Sequence, residues 1–184
     1  MIDATINGIT FSSIGLGLKR HDIPVLPPTR DYSLELADRD GEIDFGSTYG
    51  PRVINLECVV MADDTTFDYH RRVAQVATLF NARRGDVSFT FSDIPNRVYY
   101  GRYAGTMPIE KLLFDGMVTI PIKMHDPFPL SSEEYVSETV ITKSPQIISV
   151  ASAGDMQANP VIVLTNQGTN VIRNFRITNE YLIE

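Results

Sequence analysis

The feature that most constrains the fold is one helical segment placed between strands that alternate strictly. In RVINLECVV, residues 52–60, apolar side chains occupy every second position, as in a strand with one face in the core. From Tyr69 to Phe80 the apolar residues instead recur at spacings of three and four. That spacing predicts a helix over about residues 66–84 with one buried stripe, capped at its start by Thr65. The simplest packing lays the stripe over the apolar faces of the strands.

Strand patterns dominate the rest of the chain. DVSFTF, VYYGRY and MVTIPIKM follow the helix, and about ten segments have a strand pattern in all. Asn7-Gly8 lies between two short alternating segments, which is typical of a type I′ hairpin because both turn positions require positive φ. The sequence therefore predicts a mainly β (α+β) fold, either a β-sandwich or a partly open barrel, flanked by the one amphipathic helix.

A segment rich in proline, serine and acidic residues, HDPFPLSSEEY, indicates a domain edge at residues 125–135. We predict a β domain with its flanking helix over residues 1–130, and a linker with a short β segment over residues 131–184. Three segments after the linker have strand patterns, at 135–142, 160–169 and 170–183. These segments either open a second β domain that is truncated in this chain, or add strands to the first domain.

Composition and charge exclude several classes of protein. The chain has 43% hydrophobic and 21% charged residues, a composition typical of a folded globular protein. Its net charge is −7 and its 16 Lys and Arg residues are dispersed, whereas binding a nucleic-acid backbone requires clustered cations. The lone Cys58 excludes an internal disulfide framework and multi-cysteine metal sites, and its place on an apolar strand face predicts burial.

The sequence shows no sign of a membrane-spanning or secretory segment. No apolar run approaches the roughly 20 residues that a membrane-spanning helix needs, and the N-terminus lacks the basic start and apolar block of a secretory signal. We therefore predict a protein that is synthesised in a cytoplasm and has no membrane partner.

No constellation of residues indicates catalysis, and we predict no enzyme activity, no metal and no cofactor. The chain has three histidines, at His21, His70 and His125. His70 and Asp68 are two residues apart on a helix, and His125 and Asp126 are adjacent on a strand, so neither pair faces one site. Asp38, Asp40 and Glu42 imitate the start of a calcium loop, but the glycine falls at the fourth position instead of the sixth. A turn is the better interpretation.

Two surfaces are candidates for binding a partner. In the segment EIDFGSTYGPR, polar and glycine residues interrupt the regular alternation of a strand. We therefore predict that it is an exposed arm or loop. The candidate subunit-interface residues in and beside it are Asp40, Gly41, Phe45, Tyr49 and Arg52. The second candidate is an aromatic face for glycans formed by Tyr99, Tyr100 and Tyr103, for which cross-strand aromatic packing is the alternative interpretation.

Strand edges provide a further reason to expect assembly. Lysines on an edge strand normally discourage its pairing with another chain. This chain has few of them, so the edge strands of the predicted meander can pair with a strand of another subunit. Copies that join head to tail close into a ring when the rotation closes. The pattern therefore predicts a homo-oligomer.

The order of these segments resembles the distal tail proteins of siphophages, which have long, non-contractile tails, and especially those that infect Gram-positive bacteria. The matching parts are the NG hairpin, the arm DFGSTYGPR before RVINLECVV, the helix, FTFSDIPNRVYYGRY, and a strand that ends in DPFP. The match covers about residues 1–130 and, more weakly, NPVIVLTNQGT. The resemblance implies a hexameric ring at the tail tip, or baseplate hub, whose N-terminal domain contacts the tail tube protein and the tail-tip protein.

The resemblance also implies a galectin-like or carbohydrate-module-like C-terminal domain, which often holds receptor-binding proteins, and a channel that DNA passes without specific binding. The C-terminal part of this chain is shorter than that pattern. We expect a structural component of a phage or prophage tail tip that connects the tail tube to the host-adhesion apparatus, located in the virion and made in the bacterial cytoplasm. The alternative is a carbohydrate-binding module for host-surface recognition.

Overall fold

The computed structural model describes residues 2–62, 67–112, 115–151, 154, 156 and 158–180. Within this part of the chain lie one α-helix and eleven strands. They are, in chain order, β1 (Ala4–Ile6), β2 (Ile9–Thr10), β3 (Leu16–Asp22), β4 (Thr29–Glu35), β5 (Glu42–Tyr49), β6 (Arg52–Val60), α1 (Phe67–Leu79), β7 (Val87–Phe91), β8 (Ile94–Tyr103), β9 (Ile109–Leu112), β10 (Asp115–Met124) and β11 (Leu130–Ser131).

Nine strands form one curled antiparallel sheet. Its order is β2-β1-β7-β8-β10-β6-β3, with β11 beside β8 and β9 beside β10. The longest ladder joins β6 to β10 over nine residue pairs. A single bridge between Ile2 and Leu18 connects the β3 edge to the residue that precedes β1 by two positions, but no ladder among the described residues closes the sheet. The prediction of a mainly β fold with one flanking helix is confirmed.

The core lies inside this curl, on the faces that the alternation predicted. The buried side chains of the central ladder are Ile54, Leu56, Cys58 and Val60 on β6, and Val118, Ile120, Ile122 and Met124 on β10. The first hairpin also forms as its sequence predicts, because Asn7 and Gly8 have φ values of 47° and 82°, the positive values of a type I′ turn.

Helix α1 packs its apolar stripe into the same hydrophobic core as the strands. Tyr69, Val76 and Phe80 are buried, and the ring of Phe80 stacks on Phe89 with centroids 6.3 Å apart. The ring of Phe80 also meets Phe11 edge-on at 5.8 Å. Three aromatic side chains from three separate parts of the chain therefore connect the helix to the sheet.

The helix is shorter than the predicted span of residues 66–84. It ends at Leu79, and Ala82–Arg84 form a separate 3-10 turn. Asn81 between them has extended backbone angles, and its side chain accepts a hydrogen bond from the backbone N–H of Arg83. A cap of this kind starts a new turn and ends the helical run. The predicted cap residue Thr65 lies outside the described residues.

Burial of Cys58 leads to a testable difference between the folded and unfolded thiol. Burial raises the pKa of this thiol to about 12 from an ordinary value of 9.0. The stability contribution of the neutral thiol is therefore fully present below about pH 9 and is lost as pH rises toward 12. Because the thiolate is the reactive form, we expect the native protein at pH 8 to react with dithionitrobenzoate only as fast as it opens, and the urea-unfolded chain to react at once. Immediate reaction of the native protein would contradict this prediction.

The chain divides into two compact units, Met1–Tyr135 and Val136–Glu184. In the described part of the second unit no residue is in a strand, so the strands predicted at 135–142, 160–169 and the described part of 170–183 are not formed. Alternation shows only that the side chains of a segment would suit a strand. A strand also needs a neighbouring strand that pairs with its backbone N–H and C=O groups. Within the described part of the chain, no helix combines the length and the apolar character that a membrane crossing requires.

Candidate assembly surface

A two-stranded hairpin, which we call the arm, comprises residues 29–49. Among the described residues, its strands β4 and β5 pair only with each other. Every residue of the arm is exposed except Ile43, which is half-buried. At the base of the arm, the backbone N–H of Gly50 donates to the carbonyl oxygen of Pro28 at 2.6 Å, and Tyr49 meets the ring of Phe128 edge-on at 5.5 Å. The arm is therefore fixed at its base while both of its faces contact solvent.

The two faces of the arm have opposite character. Leu34 pairs with Ile43 across the ladder, and a register shift places Tyr32 opposite Phe45 and Gly46. Because side chains alternate along each strand, the four large side chains share one face, which we call the apolar face: Tyr32, Leu34, Ile43 and Phe45. The other face carries Asp31, Glu35, Glu42 and Asp44. The whole arm has six carboxylates and two arginines, a net charge of −4.

The structure places four of the five predicted interface residues on the arm. Asp40 and Gly41 lie at its tip, and Phe45 and Tyr49 lie on β5. Phe45 is 66% exposed. The fifth residue, Arg52, does not belong to this surface, because it is the first residue of β6, falls on the core side of that strand and is 5% exposed.

The prediction of an exposed arm covered only its second strand, β5, and did not include β4. The segment YSLELA and the residues DRDG precede β5 in the sequence and form one hairpin with it. Two alternating segments on either side of a short turn with glycine could have predicted the pairing. The pattern does not reveal that neither face of this hairpin packs on the body of the domain.

Arg52 carries a charged side chain into the interior of the domain. Its Nε atom is buried and has no hydrogen-bond partner among the described residues. Burial lowers the pKa of the Arg52 guanidinium below its ordinary value, and the interaction with Tyr99 offsets part of this shift. We expect Arg52→Met to raise the free energy of unfolding by about 1–3 kcal/mol, since it removes an unsatisfied buried donor. Urea denaturation measures this change, and the exposed Arg20→Met is the matched control. A clear loss of stability for Arg52→Met, with the control unchanged, would contradict the prediction.

The three tyrosines of the predicted glycan face do not share one surface. Tyr99 is 4% exposed and Tyr100 is 45% exposed, because neighbouring residues on β8 point to opposite sides of the sheet. The ring of Tyr99 packs edge-on against Phe91 at 5.5 Å, and burial raises the pKa of its phenol. The hydroxyl of Tyr103 donates to the carbonyl oxygen of Gly105 at 2.7 Å. Cross-strand packing describes this region better than an aromatic platform.

The polar contacts of two histidines depend on distant parts of the chain. His21 Nε2 lies 2.7 Å from Asp93 Oδ2, and the His21 ring packs on Phe91 at 4.9 Å. His125 lies near Arg102 and Asp86. No local sequence pattern predicts the His21–Asp93 pair, because the two residues are 72 positions apart. In the described part of the chain, no group of three or more His, Cys, Asp or Glu residues could hold a metal ion.

Comparison with known proteins identifies the class to which this fold and arm belong. Residues 9–124 match the family described as the phage tail protein RIFT-related domain, so the chain belongs to this family. The chain is also similar to the distal tail protein of Bacillus phage SPP1, with 34% identity over 137 residues that cover 71% of this chain and 51% of that protein.

A solved structure extends the comparison to three dimensions. The fold resembles that of the SPP1 Dit (gp 19.1) protein, described as a paradigm of hub adsorption apparatus in phages that infect Gram-positive bacteria. The TM-score is 0.61 at 24% identity, over 69% of this chain and 51% of that chain. This chain thus spans about half the length of both relatives. The resemblance to the distal tail proteins that the sequence analysis identified is confirmed.

Proposed function

We propose that this chain is a structural component of the tail tip of a phage or prophage, where copies of it form a ring between the tail tube and the host-adhesion apparatus. The observation that carries this proposal is the arm, whose apolar face stays exposed on a domain that belongs to a phage tail family. Full burial of a side chain such as Phe45 or Leu34 contributes about 1.5–3 kcal/mol. A contact between copies would supply that burial.

The ring order and the neighbours in the tail follow from the family resemblance. A hexamer, stacked on the tail tube protein on one side and on the tail-tip protein on the other, is the arrangement we propose. The net charge of −7 suits a channel that DNA passes without binding specifically. The name of the SPP1 relative, distal tail protein, supports a structural and non-enzymatic role in the virion.

We propose that the ring is formed by residues 1–130 and that residues 131–184 lead into a C-terminal part. The division of the chain near residue 135 supports this organisation. Docking of receptor-binding proteins belongs to the C-terminal part in this proposal. The alternative function as a carbohydrate-binding module is not favoured, because the tyrosines on which it depends lie on different sides of β8.

The test is the mass and shape of the purified protein in solution. We expect light scattering after size exclusion to give a mass close to six times the 20.6 kDa chain, and negative-stain images to show rings with a central hole. On particles of the phage that encodes the chain, antibodies against it should label the tail end that lies away from the head. A strict monomer at high concentration, or labelling elsewhere on the particle, would overturn the proposal.

A further inference from the structure

A groove of about 430 Å³ runs along the outer side of α1, where the helix meets the β1–β2 hairpin. Its apolar part includes Ile9, Ile14, Ala74 and Leu79, and two arginines, Arg71 and Arg84, also line it. Ile9 is a large apolar side chain that is nearly half exposed. The groove thus offers an apolar floor with cations beside it, and the proposed function does not yet assign a role to it.

The charge of this region is opposite to that of the arm. From residue 67 to residue 84 the chain has four arginines and one acidic residue, a net charge of +3, although the whole chain is acidic. Asp68 accepts from Arg71 Nη2 at 2.6 Å and from Arg72 Nε at 2.7 Å, so one carboxylate is shared by two guanidinium groups. Arg84 is exposed at the end of the 3-10 turn. An acidic partner would therefore be attracted to this groove.

The arm is complementary to the groove in apolar character and in charge. Its apolar face presents large side chains, of which Phe45 is the most exposed, and its tip carries Asp38 and Asp40 with Glu42 beside them. We infer that the groove receives the arm of a second copy of this chain, with the apolar face on the groove floor and the acidic tip beside Arg71 and Arg84. This inference rests on the proposed function, because it names the surface that the arm would bind in the ring.

The contact has a consequence for symmetry. The arm and the groove are different surfaces, so each copy gives one arm and receives another. Such a heterologous contact repeats in one direction and produces a closed ring when the rotation between neighbours closes. An interface of two like surfaces would instead stop at a dimer.

Charge reversal tests the electrostatic half of the inference. Arg84→Glu is preferred to a change at Arg71, because Arg71 is hydrogen-bonded to Asp68 within the helix. We expect Arg84→Glu to raise the protein concentration for half-assembly by about fivefold or more, and the double change Asp40→Lys and Glu42→Lys to do the same. The three changes together should restore assembly to within about twofold of the original protein, because the attraction is re-formed with opposite signs. The exposed Arg20→Glu on β3 is the matched control and should assemble normally.

Crosslinking tests the position of the arm directly. Ala37→Cys protein is mixed with Thr78→Cys protein, since Ala37 is exposed at the tip of the arm and Thr78 lines the groove, and the mixture is treated with a short bismaleimide. We expect a covalent dimer that contains one chain of each kind. The mixture of Ala37→Cys with Arg20→Cys should give none, and the native Cys58 should not react because it is buried.

The outcomes separate this inference from the proposed function. A ring that forms normally with Arg84→Glu, and that gives no crosslink between positions 37 and 78, would overturn the groove as the receiving surface and leave the proposed ring unaffected. A chain that forms no ring at all would overturn both. Rescue by the combined charge reversal together with the specific crosslink would establish the contact.

Discussion

Replacing Phe89 with alanine is expected to lower the free energy of unfolding by about 3–5 kcal/mol, because it removes the contact that joins the helix to the sheet. Phe89 is 1% exposed, and its ring stacks on Phe80, which in turn meets Phe11 edge-on. Removing the Phe89 ring leaves a cavity beside Phe80 that Phe80 cannot fill without moving the helix. Urea denaturation followed by circular dichroism measures the change.

The chain contains its own matched control for this experiment. Phe175→Ala removes an identical side chain, but Phe175 is 67% exposed and lies outside the arm, so the free energy of unfolding should change by less than about 0.5 kcal/mol. A loss below about 1 kcal/mol for Phe89→Ala would show that the aromatic contacts do not hold the helix in place.

Shortening the arm should separate folding from assembly. We expect the protein in which residues 31–47 are replaced by an Asn-Gly turn to keep its fold and to remain monomeric where the full chain forms the proposed ring. The base of the arm, where Thr29 pairs with Tyr49 and Arg30 with Thr48, remains in this variant. The removed residues are exposed except for the half-buried Ile43, so the body of the domain loses little burial. Urea denaturation and light scattering measure the two properties on the same sample.

Two further variants show which feature of the arm matters. Tyr32→Ser combined with Phe45→Ser keeps the length of the arm but removes much of its apolar face, and we expect this protein to be monomeric. Ser33→Thr changes the opposite face and should assemble normally. Rings formed by the shortened protein would show that the arm is not the surface that joins the copies.

Local patterns in the sequence predicted the elements whose side chains face the core. The alternation in β6 and β10 gave the correct buried faces, down to Cys58, and the stripe from Tyr69 to Phe80 gave the helix that packs into the same core. The Asn7-Gly8 turn was also predicted, because its backbone geometry depends on those two residues themselves. In each case the signal lies within a few neighbouring residues, so no knowledge of distant contacts was necessary.

The tertiary structure decided which strands pair and which faces remain uncovered. The sequence of β4 and β5 has the alternation of core strands, yet these strands form an exposed arm, whereas Arg52, which was assigned to the arm, lies in the core. The contact between His21 and Asp93 likewise depends on where the strands lie in the sheet. Periodicity in a sequence shows that a segment has an apolar face, but only long-range packing determines whether its own chain or another molecule covers that face.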